Sequence, residues 1–483
     1  MVLSHQRCPR QVYLDTFADR CQKGRPSDFR LKLAKDRLQH QKTFLKHQPG
    51  WVKPEYPKMD WQAGAQATLE LMRQGQPQIQ NPVLLFEYSQ GLTLVSTPDC
   101  LIRASGVSVF GDWVYAPADI KLSKRPKPEY QVVLTYHAYV LSLVQEAAPP
   151  MAWLHLREKW GYEINLDSLW PKLDRALTDL KAILIDQVEP EVFIVRNRCQ
   201  LCPWFTPCYA LAQTTQHLSL LPGVTPSRYP ILQNQGLETV EALATLEAST
   251  LNQLTGFGYS VSQQLICQAQ AWVTQGPILL SDANSQQWGA VQFNSPIELY
   301  FDIEAEPSID VVYLHGVLLV DRRTGDQQFY PFLAENPEQE QQAWVEFLAL
   351  VQAYPTAPIY HFCPYEVQTV KRLARLYDTP MTVVEALVPR FVDIHRWVTD
   401  TVTLPIENYT LKVIARWMGF EWRNSEANGA QSICWYEEWL NTGDRTFLDT
   451  IVTYNEDDCL ATYRIKAWLD SYLDQRAIAR LSA

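Results

Sequence analysis

The chain has 483 residues, 47% of them hydrophobic and 20% charged, enough to bury more than one core, so two or three domains are expected. A net charge of −11 excludes a nucleic-acid binder held by bulk positive charge and leaves a local basic groove as the way such a partner would be held. No basic segment followed by an apolar stretch opens the chain, and no uninterrupted apolar run approaches about 18 residues, so a soluble cytoplasmic protein without membrane contact is expected.

Ten cysteines in so long a chain point to metal binding or plain burial rather than to disulfides. The first of interest is Cys8, in Arg7-Cys8-Pro9-Arg10. A basic stretch follows from Arg30 to Lys53, with Lys32, Lys35, Arg37, Lys42 and Lys46 against Asp36. It reads either as a solvated helix face or as a track for phosphates. Val83–Tyr88, Leu92–Ser96, Leu101–Arg103, Val107–Phe110 and Tyr115–Ile120 read as short strands between Gly, Ser and Pro turns, which implies an antiparallel sheet core. Asp99 follows Pro98 in this run, and Asp119 and Lys121, two apart on the last strand, share one face. There Asp99 and Asp119 can hold a divalent metal while Lys121 steadies a nucleophilic water or the scissile phosphate. A second basic stretch, Lys121 to Lys127, adjoins these residues.

Cys199-Gln-Leu-Cys202-Pro-Trp-Phe-Thr-Pro-Cys208 sets three thiols in a proline-rich loop, and Cys8 is the candidate fourth ligand. Zinc and 4Fe-4S clusters both accept four thiolates, so spacing leaves both open. The remaining six, Cys21, Cys100, Cys267, Cys363, Cys434 and Cys459, read as small buried hydrophobes.

Residues 1–210 resemble the RecB-like PD-(D/E)XK nucleases, and more narrowly their iron-sulfur members, in which one N-terminal and three C-terminal cysteines enclose the nuclease core. The resemblance implies a 4Fe-4S cluster on Cys8, Cys199, Cys202 and Cys208, with zinc as the alternative. It also implies a Gln-x-x-x-Tyr helix after the lysine, which Gln131 and Tyr136 match with one residue too many, and a histidine or glutamate before the sheet, for which His40, His47 and Glu70 are candidates.

Residues 215–275 carry Leu-Pro-Gly-Val and then Leu251-Asn-Gln-Leu254-Thr-Gly256-Phe-Gly258 before an amphipathic run through Trp272. This resembles the helix-hairpin-helix module, in which a Gly-x-Gly turn lets backbone N–H groups approach a phosphate; a pair of helix-capping glycines is the plainer alternative. Gly276–Pro296 reads as a linker.

The last part, residues 290–483, holds three acidic segments. Asp302 and Glu304 lie two apart in a strand and share a face, Glu366 opens an amphipathic helix from Tyr365 to Leu376, and Tyr454 and Asp458 stand four apart on another helix. Four carboxylates and a phenol at this spacing suit two Mg²⁺ or Mn²⁺ ions about 3.5–4 Å apart in phosphodiester cleavage, with Tyr454 orienting the attacking water. From Pro296 onward the chain resembles the DEDDy branch of the RNase H-like 3′-5′ exonucleases, whose third motif is Tyr-x-x-x-Asp. It departs at the second motif, where Glu366 stands for the usual Asp. Asp393 is an alternative for that role and Asp457 for Asp458.

The whole layout resembles a bacterial family of RecB-like nucleases and implies a multi-domain α/β chain: RecB-like core, small helical hairpin module, RNase H-like domain. The leading expectation is a metal-dependent nuclease acting on nucleic acid, DNA before RNA, in repair or processing. A nucleic-acid-binding scaffold with degenerate sites and a zinc-stapled phosphoesterase for small substrates are the alternatives.

Overall fold

The structure is a computed structural model and describes residues 1–89, 92–254, 256–280 and 295–481. The chain divides into two compact units, Met1–Val192 with Arg196–Tyr209, and Phe193–Val195 with Ala210–Ala483. Both are mixed α/β. Most of the expected linker, residues 281–294, lies outside the described residues. Among the described residues no helix is long and apolar enough to cross a membrane.

The first unit contains strands β1 (Gln78–Gln80), β2 (Leu84–Ser89), β3 (Leu92–Ser96), β4 (Cys100–Ser108), β5 (Gly111–Lys121), β6 (Trp153–Leu156) and β7 (Tyr162–Glu163). Five of them form a sheet in the order β1-β4-β5-β6-β7, while β2 and β3 pair with each other. The separate strands expected at Leu101–Arg103 and Val107–Phe110 are mostly one strand, β4, because the polar Ser105-Gly106 step is an irregularity in the β4–β5 register and not a turn. Nor is the sheet wholly antiparallel. β5 and β6 run parallel, and the helix Pro128–Gln145 supplies the crossover that a parallel pair needs.

β5 is covered on both faces, as its unbroken burial from Val114 to Lys121 records. Tyr115 packs with Val132, Tyr136, Val140 and Leu141 of the crossover helix. Ala118 and Ile120 pack with Phe44 of the helix Asp28–Lys46 on the other face. Each such burial contributes roughly 1.5–3 kcal/mol for a large apolar side chain. The N-terminal helices Val2–Arg7 and Pro9–Phe17 add Val2 and Val12 to the core beside Leu180 and Ile183 of the helix Leu166–Leu184. Cys21 is exposed, against its expected burial, because the short 3-10 turn that carries it buries nothing.

In the second unit, four helices, Tyr229–Gln233, Val240–Ala244, Ala248–Asn252 and Tyr259–Thr274, surround Leu221, Leu232, Leu243, Leu251 and Leu265. Gly256 takes φ +87°, and Gly258 caps the last helix. Gln268 of that helix donates to the Leu404 carbonyl (2.6 Å) and accepts from Tyr409 (2.8 Å). Strands β8 (Ile278–Leu279) and β14 (Val402–Thr403) pair nearby. Between them in sequence lie β9 (Ile297–Glu306), β10 (Val311–Asp321), β11 (Gln327–Leu333), β12 (Ile359–His361) and β13 (Phe391–Asp393). These form a sheet in the order β11-β10-β9-β12-β13, with β9–β11 antiparallel and β12 and β13 parallel to β9. The odd residues of β9, Leu299, Phe301 and Ile303, pack against Phe347 and Val370 of helices Glu340–Ala353 and Tyr365–Leu376. Tyr300 on the even face packs with Cys459, Ala461 and Ile465 of the long helix Thr446–Leu481.

Candidate functional site

The even face of β9 continues from Tyr300 to Asp302 and Glu304, so the two-residue strand period aims both carboxylates at the helix Thr446–Leu481. That helix presents Tyr454, Asn455 and Asp458 to them. One oxygen from each of Asp302, Glu304 and Asp458 falls within 4.8 Å of the others; it is the group of potential metal ligands that stands out among the described residues. Burial comes first in raising each carboxyl. For Asp302 the negative charges of Asp458, Glu304 and Glu366 add to it and carry the value well above the ordinary range. Glu304 is pushed up to about 8 by burial and Asp458. Asp458 reaches about 6 by burial, restrained by hydrogen bonds from Trp422 (2.7 Å) and Tyr454.

Residues that the sequence did not single out complete the surroundings. Asn455 donates to Asp302 (2.7 Å), and Tyr313 and Ser432 hydrogen-bond each other (2.8 Å) and both support Glu304. Lys412 lies 5.1 Å from the Tyr454 ring centre and 5.3 Å from that of Trp422, and donates to the Ala427 carbonyl. Burial lowers its pKa while Asp458 and Glu304 oppose the change. No local pattern marks these residues, because their roles depend on elements packing from far along the chain. Tyr454 is buried, and its hydroxyl is raised well above its ordinary value by burial and by Asp458, Glu304 and Asp302, so it stays protonated and its O–H donates a hydrogen bond to Asp458.

Glu366, in the first turn of the helix Tyr365–Leu376, is buried and meets His361 Nδ1 at 3.3 Å. It adds to the charge felt by Asp302 but is outside the tight trio. Asp393 is occupied otherwise, accepting from the backbone N–H groups of Cys363 (3.1 Å) and Arg396 (3.2 Å). Asp457 pairs with Arg423 (2.7 Å). Three clustered carboxylates, Glu304 and Asp458 buried and Asp302 half-buried, repel one another and offer oxygen donors only, which fits hard Mg²⁺ or Mn²⁺ ions. Such ions, when bound, stabilise the attacking and leaving oxygens of a phosphodiester.

In the first unit, Asp99, Asp119 and Lys121 also converge. Lys121 Nζ is 2.8 Å from Asp119 and 3.3 Å from Asp99. Asp119 accepts the Asp99 N–H (3.1 Å), and Asp99 accepts that of Ile120 (2.7 Å). Burial alone would raise the Asp119 carboxyl, yet Lys121 and His137 hold it at about 2, whereas burial and the Asp119 charge raise that of Asp99. His137, absent from the sequence-derived candidates, has Nε2 3.9 Å from Asp119 and Nδ1 2.7 Å from Ser96 Oγ. Of the candidates before the sheet, His47 and Glu70 are exposed and His40 is half-buried. Gln131 donates to the Pro126 carbonyl (3.0 Å).

Cys8 sits between the two N-terminal helices. The loop expected over these cysteines is confined to residues 200–204, since Cys199 ends the short helix Arg196–Cys199 and Cys208 lies in the helix Phe205–Thr214; the segment is tied to the Cys8 region by Trp204, which donates to Asp15 (2.9 Å), and by the Gly24 N–H to Pro203 carbonyl bond (2.8 Å). Burial raises the Cys202 and Cys208 thiols, and Cys8 adds to both. Cys202 donates its N–H to the Cys199 carbonyl (2.8 Å), so Cys199 lies one turn away. Arg10 beside Cys208 and Arg30 beside Cys202 oppose part of the rise.

Residues 299–470 match the family model described as RNase_H superfamily. Comparison with curated proteins and with solved structures finds no match. The second unit therefore contains an RNase H-like domain, and the trio of carboxylates lies within it.

Proposed function

We propose that the protein is a metal-dependent nuclease whose second unit is a 3′-5′ exonuclease. The observation that carries this reading is the meeting of Asp302, Glu304 and Asp458 within 4.8 Å, in a domain of the RNase_H superfamily. Together with Glu366 they would hold Mg²⁺ or Mn²⁺. Tyr454 keeps its proton and orients the attacking water, and Lys412 places positive charge beside the reacting phosphate. DNA is the favoured substrate, with repair or processing as the setting.

Asp99, Asp119 and Lys121 would form a second, RecB-like hydrolytic site, supported by the ion pairs that bring one lysine to both carboxylates. Cys8, Cys199, Cys202 and Cys208 would hold a 4Fe-4S cluster, with zinc as the alternative, and the Gly256–Gly258 turn would meet the nucleic-acid backbone. The test is digestion of single-stranded, duplex and RNA oligonucleotides by the full chain with Mg²⁺ and Mn²⁺. Loss of 3′-5′ digestion in Asp302→Asn supports the exonuclease, and undiminished digestion overturns it.

A further inference from the structure

The helix Asp28–Lys46 carries most of the first basic stretch. Two of its side chains, one turn apart, reach a single oxygen of Asp99: Gln41 Nε2 at 3.1 Å and Arg37 Nη2 at 3.9 Å from Oδ1. The other oxygen, Oδ2, takes the Ile120 N–H and Lys121. Asp99 and Asp119 together carry two negative charges when ionised, and Lys121 and Arg37 face them with two positive ones. The two cations differ in freedom. The Lys121 side chain is 10% exposed and held between both carboxylates, whereas that of Arg37 is 51% exposed and touches Asp99 at the outer limit of an ion pair.

A divalent cation on Asp99 and Asp119 would take over the charge that Arg37 offsets, and a guanidinium at the rim would then be free to fork onto a phosphate. We propose that Arg37 is a phosphate-binding residue of the first-unit site, resting on Asp99 in the free protein and transferring to the nucleic-acid backbone when metal and substrate bind. Gln41 is a positioning residue that keeps Asp99 Oδ1 oriented. The inference rests on the reading of Asp99, Asp119 and Lys121 as a hydrolytic site, and its ligand class is a nucleic-acid phosphate.

The test uses the full chain carrying Asp302→Asn, so that cleavage reports the first unit. Mn²⁺-dependent cleavage of a labelled oligonucleotide is followed together with its equilibrium binding between about 50 and about 200 mM salt. Arg37→Gln is expected to raise KM and Kd roughly five- to tenfold, to leave kcat within about twofold, and to reduce the salt slope of log Kd by about 0.7–0.9. Arg37→Lys should restore most of the slope, since it restores the charge. Gln41→Ala should lower kcat and leave the slope alone, because it acts through Asp99. An unchanged slope in Arg37→Gln, whether or not kcat falls, overturns the phosphate contact. Asp119→Asn separates the two levels. If it cleaves as fast as its parent, the hydrolytic reading of the site fails, and the binding slope alone decides whether Arg37 meets a phosphate.

Discussion

Asn455 reaches Asp302 only because residue 316 is glycine. Gly316 pairs with Asp302 across β9 and β10, and a Cβ there would overlap the Asn455 carboxamide oxygen. The same carboxamide donates to Asp302 at 2.7 Å, so one missing methyl group sets the orientation of a candidate metal ligand. Gly316→Ala is expected to cost about 1–3 kcal/mol, the usual range for overpacking, and to weaken Mn²⁺ binding by the second unit. Asn455→Ala should relieve the overlap, so the double variant should be more stable than Gly316→Ala while still binding metal poorly. Urea unfolding and Mn²⁺ calorimetry check this; strictly additive stabilities would show that the two residues are not coupled.

The raised carboxyls give a pH prediction. Glu304, near 8, and Asp458, near 6, keep protons in the folded chain that an unfolded chain releases near pH 4. The folded state then binds more protons, so metal-free stability falls as pH rises toward about 8. Histidines oppose this at lower pH. His137 and His155 are held neutral down to about 4 and His315 to about 3, each chiefly by burial, and they add stability as pH rises to about 6.5. In the window from about 6.5 to about 8 the decline therefore comes from the raised carboxyls, Glu304 together with Asp302. Thermal melts in EDTA should decline there, Glu304→Gln should flatten the decline, and Mn²⁺ affinity should rise through the same window as protons leave. A melting temperature in EDTA that rises with pH across this window would contradict the assignment.

The legible parts of the fold are those set by short periods. A two-residue strand period pairs Asp302 with Glu304 and Asp119 with Lys121, and a four-residue helix period pairs Tyr454 with Asp458. What escapes the sequence is set by packing between distant segments. Asn455 reads as one more polar residue on a helix until Gly316 is seen opposite, and His137 reads as part of an apolar helix until β5 brings Asp119 within 3.9 Å. The merging of two expected strands into β4 has a local cause, since Ser105-Gly106 has turn composition but sits at a register irregularity.

Lys121 offers a test that separates charge from metal ligation. Its ammonium cannot ligate an ion, so Lys121→Met should cost at least about a hundredfold in first-unit cleavage and leave Mn²⁺ affinity unchanged or increased. Removing one partner of a buried pair costs about 3–5 kcal/mol, and Asp119, now held at about 2 with Lys121 as the leading opposing charge, should take up a proton at higher pH than before. Adding Asp119→Asn should recover much of the stability but none of the cleavage. Mn²⁺ affinity falling in step with rate in Lys121→Met would mean that the lysine organises the metal site and does not act on the substrate.

Cys8 and the Cys199–Cys208 segment lie about 190 residues apart in sequence, and a cofactor held by both closes a long loop, which removes much of the unfolded chain's entropy. Contacts that already join these regions include Trp204 to Asp15, Gly24 to Pro203, Arg30 to the Leu201 carbonyl at 3.4 Å, and Lys23 over the Trp204 ring. Arg30 also opens the helix that carries Arg37 and Gln41, so a loosened loop should be felt eleven residues along that helix, about 16 Å away. Cys8→Ser is therefore expected to lose the bound cofactor, to become protease-sensitive within residues 1–209, and to cleave more slowly at the first-unit site, while the second unit keeps its exonuclease activity. Anaerobic purification with absorption spectra and metal analysis distinguishes the cofactors: a brown protein with four irons supports the cluster, and a colourless one with a single zinc replaces it. Native metal content and protease resistance in Cys8→Ser would remove Cys8 from the ligand set.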